Sequence, residues 1–352
     1  MGKRMMIDEI LVGGMALAYI VILVWSCRVL PGERWQVLAT MPLAKNEQGW
    51  WRGLNITYYG FFQACAFTAA LSVMLVMLGS VRMGVLETLS APLLLLAVCV
   101  PASKLVARLV EKKPQTLTVA GASFVGLVLC PWLILGTDAL LERRGSFVMP
   151  ILAAVAVSYA FGEGLGRLAC ISFGCCYGKP LDACSPLIRR LFRNRGFVFT
   201  GDTKKIAYAG GPAGRPVIPV QALTSGICVG VGLIGFYLFL RGWFTCAFLL
   251  VILVTQGWRA YSETLRDDFR GGGKVTAYQW MAAGAVVYGG LTALWAPAPP
   301  ALTPDVVVGL SGLWNPAPLL GLEALWLIIL VYYGRSKVTA STIRFHVVQS
   351  EV

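Results

Sequence analysis

The chain has 352 residues, 57% of them hydrophobic and only 13% charged, which places it far outside the composition of a soluble globular domain. Its formal charge of +13 could suit nucleic acid, but the lysines and arginines sit in short loops between apolar runs, where anionic lipid headgroups are the nearer partner, so nucleic-acid binding is rejected. The only histidine is His346, in the C-terminal tail, which excludes histidine-based catalysis within a membrane.

Apolar runs of spanning length centre near residues 10–26, 60–78, 86–106, 117–135, 147–169, 219–240, 243–261, 277–295 and 317–333. They predict an all-α polytopic membrane protein with nine spans. The opening MGKRMMIDEI precedes an apolar run to Trp25. Asp8 and Glu9 lie between the basic residues and that run, and so favour a retained signal-anchor over a cleaved signal peptide. Val24-Trp25-Ser26-Cys27 faintly echoes a lipoprotein cleavage site, but the bulky Trp25 argues against cutting there. Lys3 and Arg4 place the N-terminus in the cytoplasm.

After a loop from about 28 to 55, Tyr58 and Tyr59 stand at the mouth of the second span, where amphipathic rings ordinarily lie at headgroup level. The third span ends in Lys104 and Arg108, with Lys112 and Lys113 beyond, and reads most simply as an interfacial anchor. The fourth carries the glycine-rich run Ala120-Gly121-Ala122-Ser123-Phe124-Val125-Gly126-Leu127.

The fifth span leads into FGEGLGRLACISFGCCYGKP, residues 161–180. Arg167 lies deep in its apolar run, where a guanidinium costs roughly 2.5 to 3.5 kcal/mol and needs a partner or a purpose. Gly162, Gly164, Gly166, Gly174 and Gly178 remove side chains, which permits close approach of backbone or ligand and the positive dihedrals of a loop that dips back into the membrane. The plain alternative is a helix-packing site with a snorkelling arginine. Of the ten cysteines, Cys27, Cys65, Cys99, Cys130, Cys228 and Cys246 fall in or beside apolar runs and behave as small hydrophobes. Cys175, Cys176 and Cys184 form a loop cluster whose spacing fits neither the paired-ligand zinc pattern nor a CxxC motif, so no metal is expected.

Residues 179–217 are the longest polar insert, with Arg189, Arg190, Arg193, Arg195, Lys204, Lys205 and Arg215. They form a small head that is either a solvated basic loop or a surface attracting lipid headgroups. The seventh span closes on Arg259, Glu263, Arg266, Asp268 and Arg270. On one continuous helix residues 259, 263, 266 and 270 would share a face, with Glu263 pairing Arg259 and Arg266 and Gly271 to Gly273 stopping the helix. A solvated helix end is the alternative. Ala296 to Pro300 is a short proline-rich link.

Gly166-Arg167-Leu168-Ala169-Cys170 and Gly174-Cys175-Cys176-Tyr177-Gly178-Lys179-Pro180 resemble the signature segment of the prolipoprotein diacylglyceryl transferase family, in a cysteine-bearing variant. The better-known form has Asn and Glu at the positions of Cys170 and Cys175. The block R-x3-E-x2-R-x-D-x-R-G from Arg259, with Gln279 beyond, is similar to another family motif. So are Tyr59-Gly60 at the second span and Pro219-x-Gln221 at the sixth. The sequence departs from the family at Leu223 and Thr224, where Tyr and Glu are usual. It departs again at Val125, where many members carry a histidine or tyrosine, the histidine being fitted to accept a proton.

The resemblance covers roughly Asn55 to Leu294. It implies an N-terminal addition over 1–54, a transferase-like membrane domain over 55–295 with an outer head at 179–217, and a link, last span and tail over 296–352. About seven family-like helices would thus be joined by an extra span at each end. It also implies transfer of the diacylglyceryl group of phosphatidylglycerol to the thiol of a prolipoprotein beside its signal peptide. Glycerol phosphate would be released at the bacterial cytoplasmic (inner) membrane, with no metal or cofactor. Arg167 and Arg259 would clamp the phosphate. Glu263 would take the thiol proton. Tyr59, Gly166, Cys170, Gly174, Gly178, Gln221 and Arg266 would bind substrate. Two readings from other classes stand beside this one: a non-catalytic protein binding anionic lipid or lipoprotein, and a vicinal-thiol redox protein using Cys175 and Cys176.

Span parity argues independently of the resemblance. Spans five and seven run parallel and end near Arg167 and Arg259, while Tyr59 and Gln221 open spans two and six, which run the other way. All four should meet at one leaflet, the outer one if the N-terminus is inside. The basic loops then lie outside, against the usual bias for positive loops inside.

Overall fold

In the computed structural model, residues 2–111, 119–140, 147–268, 275–297 and 301–352 are described. A first helix, α1 (Gly2–Val29), runs into an antiparallel pair, β1 (Val37–Lys45) and β2 (Trp51–Thr57). Then come α2 (Tyr58–Ser80), α3 (Val85–Val106), α4 (Val119–Leu140) and α5 (Val148–Phe173). The head contains two short helices, α6 (Pro186–Phe192) and α7 (Lys205–Tyr208). It is followed by α8 (Val220–Leu240), α9 (Phe244–Ser262), α10 (Ala277–Trp295), α11 (Val306–Leu313), α12 (Pro316–Gly334) and β3 (Arg335–Ile343). Among the described residues, eight helices are long and apolar enough to cross a membrane. The eighth expected span, α10, is helical but not among them, because its glycines, tyrosines and Gln279 lower its hydropathy. It packs on α9 and α4 and keeps the alternation of direction.

The bundle is built around α5. Within its spanning window 78% is buried, against 6% for α1 and 11% for α3 and α12, so α5 is the axis and those three form the rim. Helices α2, α8 and α9 surround it. Small residues make this possible: a Cβ added at Gly164 would stand 2.6 Å from Val229 Cγ2 and 3.0 Å from the Ser225 carbonyl, so α8 can approach only because that side chain is missing. At the same crossing the Ser225 hydroxyl donates to the Gly164 carbonyl (2.6 Å) and accepts from Tyr19 (2.8 Å), tying α1, α8 and α5 together in the apolar interior.

The glycines inside α5 do not break it; the expected positive dihedrals and the reversal of the chain come only after the helix has ended. The helix runs unbroken through Gly162, Gly164 and Gly166 to Phe173 and stops only at Gly174, whose φ of +72° forms a left-handed cap. Helix α9 is shorter than the sequence suggests. It ends at Ser262, residues 263–265 form a single 3₁₀ turn, and Arg266 is extended, so no helical stripe joins residues 259 to 266. Arg270 and Gly271 to Gly273 lie outside the described residues.

The expected loop at 28–55 and the tail contain a three-stranded sheet, ordered β1-β2-β3. Asn55 joins its strands, accepting from Thr40 (2.9 Å) and Ser341 (2.6 Å) and donating to Thr339 (3.2 Å). Strand β3 leaves α12 where Gly60 and Gly334 cross so closely that a Cβ at Gly60 would land on the Gly334 backbone. The head is fastened down as well. Leu30, Phe62, Leu168, Tyr177, Phe197, Phe199, Ile206 and Val217 form one apolar cluster between it and the ends of α1, α2 and α5. Its arginines at 189, 190, 193, 195 and 215 are exposed, as a solvated or headgroup-facing surface requires. Lys204 is the exception: it is fully buried, and its ammonium donates to the carbonyls of Leu30 (3.2 Å) and Ser172 (2.6 Å) at the C-terminal ends of α1 and α5.

Candidate active site

Tyr159, Glu163 and Arg167 are spaced four apart on α5 and so project from one face. Glu163 forms an ion pair with Arg167 on its own helix and accepts Arg259 from α9 at 3.3 Å. Arg259 also donates to the Tyr159 hydroxyl. Glu163 and Arg259 are each only 8% exposed. Two guanidinium groups therefore share one carboxylate in a dry setting, leaving a positive charge that an anion would neutralise. Two polar atoms here are buried without a hydrogen-bond partner, the Arg259 Nε donor and the Gln221 Oε1 acceptor. Both residues line a pocket together with Tyr159, Glu163, Arg167, Cys176, Thr224, Trp258, Glu263 and Arg266.

Main-chain bonds join the two sequence motifs. Gly178 and Arg266 form an antiparallel bridge, Lys179 N–H donates to the Leu265 carbonyl (2.9 Å), and Asp267 N–H donates to the Tyr177 carbonyl (3.2 Å). Gly178 must be glycine for a packing reason, since a Cβ there would lie 2.8 Å from that of Ile218. The ladder delivers Arg266 to the pocket edge, where Asp268 holds it through two hydrogen bonds (2.6 and 2.7 Å) and Glu263 lies 3.8 Å away. The Gln221 amide, at the start of α8, donates to the Cys175 carbonyl (2.9 Å) and fixes the loop from the other side.

That loop also assembles thiols. The N–H groups of Gly174 and Cys175 both return to the Cys170 carbonyl (2.9 and 3.1 Å), and Cys176 adopts a left-handed φ of +56°, which costs a residue with a Cβ about 1 to 2 kcal/mol. The double reversal folds Cys175 and Cys176 back over the last turn of α5, and the sulfurs of Cys170, Cys175 and Cys176 all lie within 4.8 Å of one another. Spacing alone pointed away from such a cluster because the loop thiols were grouped as Cys175, Cys176 and Cys184, without Cys170. Cys184, counted with the loop thiols, instead donates to the Pro180 carbonyl and stands outside the group. Hydrogen bonds from Cys170 and Cys175, with the charges of Arg266 and Arg167 behind them, hold the Cys176 thiol well below its ordinary pKa.

The sequence-derived residues thus fall into two groups. Arg167, Arg259, Glu263, Arg266 and Gln221 line the pocket. Tyr59, Gly166, Cys170, Gly174 and Gly178 do not. The Tyr59 ring packs on Phe173 (5.3 Å between centroids) beside the thiols, and Gly166 is buried against Gln63 of α2. Lys104 and Arg108, on the outer helix pair, are exposed. Sequence reasoning missed Glu163 and Tyr159, although their four-residue steps back from Arg167 in an apolar helix were the available signal.

The pocket, rich in arginine, thus lies at one end of a multi-pass helical bundle beside a glycine- and cysteine-bearing loop. A family model described as prolipoprotein diacylglyceryl transferase matches residues 50–295, and the chain belongs to that family. Membership carries diacylglyceryl transfer to prolipoproteins as its activity. No curated protein matches the chain.

Proposed function

We propose that the protein takes the diacylglyceryl group from phosphatidylglycerol in the bacterial cytoplasmic (inner) membrane and transfers it to the lipobox cysteine beside the signal peptide of a prolipoprotein. Glycerol phosphate is the other product. The observation that carries this reading is the orphaned Arg259 Nε donor beside two guanidinium groups that share one carboxylate. A phosphodiester entering the pocket supplies the missing acceptor and the missing negative charge. Arg167 and Arg259 then hold the phosphate as charge gathers on the leaving oxygen. Arg266, already paired with Asp268, borders the same space, and Gln221 Oε1 is placed to accept from a glycerol hydroxyl of the headgroup. Glu163 holds the two arginines in position. Glu263 borders the same space beside Arg266.

In this reading residues 55–295 form the catalytic domain, 179–217 its outer head, and 1–54 and 296–352 terminal additions. Purified protein given phosphatidylglycerol and a lipobox peptide should form the diacylglyceryl thioether and glycerol phosphate in equal amounts, read by mass spectrometry. Well-folded protein that binds phosphatidylglycerol but forms no product at any pH would favour the alternative, a non-catalytic binder of anionic lipid or lipoprotein.

A further inference from the structure

The wall of the pocket contains a cluster that the reaction as drawn leaves unused. Three thiols, from residues 170, 175 and 176, converge to within 4.8 Å at the buried end of α5. Thiolate ligands around one zinc ion lie about 2.3 Å from the metal, which places sulfurs slightly under 4 Å apart, a small contraction from the arrangement found here. One of the three, Cys176, faces the pocket that holds Glu163, Arg167 and Arg259.

We propose that Cys170, Cys175 and Cys176 bind a zinc ion whose fourth position opens toward the arginine pocket and takes the lipobox thiol. The inference rests on the transferase reading for the identity of that thiol, but the metal site itself does not.

The chemistry suits the residues. Three protein ligands with one open position are the arrangement of catalytic rather than structural zinc, and a thiol that coordinates the metal loses its proton outright. Three thiolates and a divalent ion carry a net charge of −1, and the charges of Arg167 and Arg266 both act on Cys176. The left-handed Cys176 gains a purpose, because only the double reversal after Gly174 brings the second and third sulfurs over Cys170.

The transfer then balances. The substrate S–H bond breaks, its proton goes to water, and the thiolate binds zinc. Its sulfur attacks the glyceryl carbon as the carbon–oxygen bond to phosphate breaks, and the electron pair leaves on glycerol phosphate against Arg167 and Arg259. The thioether is a weaker ligand than a thiolate, so the product leaves the metal.

The test uses the full chain, purified under reducing conditions in detergent. After equilibration with Zn²⁺ and removal of loosely held ions, elemental analysis should find about one zinc per chain. Each of Cys170→Ser, Cys175→Ser and Cys176→Ser should lower retention roughly tenfold or more. Co²⁺ in place of zinc should give a thiolate-to-metal absorption band in the wild-type protein, a readout that needs no variant to fold. Its visible bands should shift on adding a lipobox peptide and stay unchanged with the serine version of that peptide. Reduced, monodisperse protein that takes up neither metal overturns the site, and cobalt bands indifferent to the cysteine peptide overturn its open position. Full transfer activity after the metal is stripped would remove the zinc and leave the transferase standing. Metal uptake with a peptide response but no diacylglyceryl product would keep the site and remove the donor.

Discussion

At the scale of single residues, the centre of the pocket is a charge arrangement in which every member depends on another. Removing Glu163 would leave two guanidinium groups facing each other out of water, and breaking such a buried pair costs about 3 to 5 kcal/mol. Glu163→Gln should therefore lower the unfolding midpoint in detergent sharply, while Arg259→Ala, which leaves Glu163 paired with Arg167, should be far milder. On transfer the order reverses in emphasis. Loss of Arg167 or Arg259 should slow product formation about 10² to 10³-fold. Lysine should not restore it, since an ammonium lacks the planar fork that meets a phosphate. Full turnover in Arg259→Lys would reduce that residue to a bare charge. Lys204 offers a separate residue-scale test outside the pocket. Burial holds its ammonium down from the usual 10.5 to about 8, against a small opposing pull from Glu33. Between those two values the unfolded chain binds a proton that the folded chain does not, so stability should rise with pH across that window, by about 3 kcal/mol in all. Below pH 8 both states are protonated and the slope disappears. In Lys204→Met the slope should be absent; an unchanged pH dependence would assign it to other groups.

Among the elements, the spanning helices were legible because hydrocarbon permits only unbroken apolar segments with internal hydrogen bonding. The sheet was harder to see. Strand β1 is exposed along almost its whole length and shows no alternation, and β3 begins directly at the end of a helix and alternates only in its second half. The end of α9 misled for a related reason. Residues 259, 263 and 266 have helical spacing, but the bridge between Gly178 and Arg266 draws the chain out of the helix, and a pairing with a distant segment leaves no local trace. The arginine pair was recognisable because each member is anomalous in its apolar run; that Glu163 joins them depends on α5 and α9 lying side by side. The close crossing of α2 and α12 tests how far the additions at either end belong to the bundle. Gly60→Leu puts a side chain onto the Gly334 backbone, and overpacking of this kind costs about 1 to 3 kcal/mol. Because β3 follows Gly334, limited trypsin digestion should cut at Arg335 and Lys337 markedly faster in the variant. An unchanged rate would mean that β3 is held by the sheet alone.

For the whole molecule, the arrangement of the termini turns parity into a prediction. Strands β1 and β2 connect α1 to α2, β3 follows α12, and the side-chain amide of Gln36 donates to the carbonyl of Thr203 in the head. Sheet, head and pocket therefore share one face, and α1 begins at the opposite one, where Arg241 in the turn between α8 and α9 approaches Asp8 (3.9 Å) and Glu9 (3.7 Å). Lys3 and Arg4 favour a cytoplasmic N-terminus, which would place the pocket at the outer leaflet, where an exported prolipoprotein and phosphatidylglycerol can meet. The exposed arginines of the head argue for the reverse by the usual charge bias. That bias acts on short loops as they are threaded, whereas this head is a folded unit closed over its own apolar cluster, and anionic headgroups give its basic surface a partner on either side. Single cysteines at Glu47, Arg193 and Thr203, in a background from which the ten native cysteines have been removed, should all react with an impermeant probe added to intact cells, while one at Gly242 should react only after the inner face is opened. The reverse pattern would turn the molecule over and place the transfer at the inner leaflet. A split among the three outer positions would contradict the shared face itself.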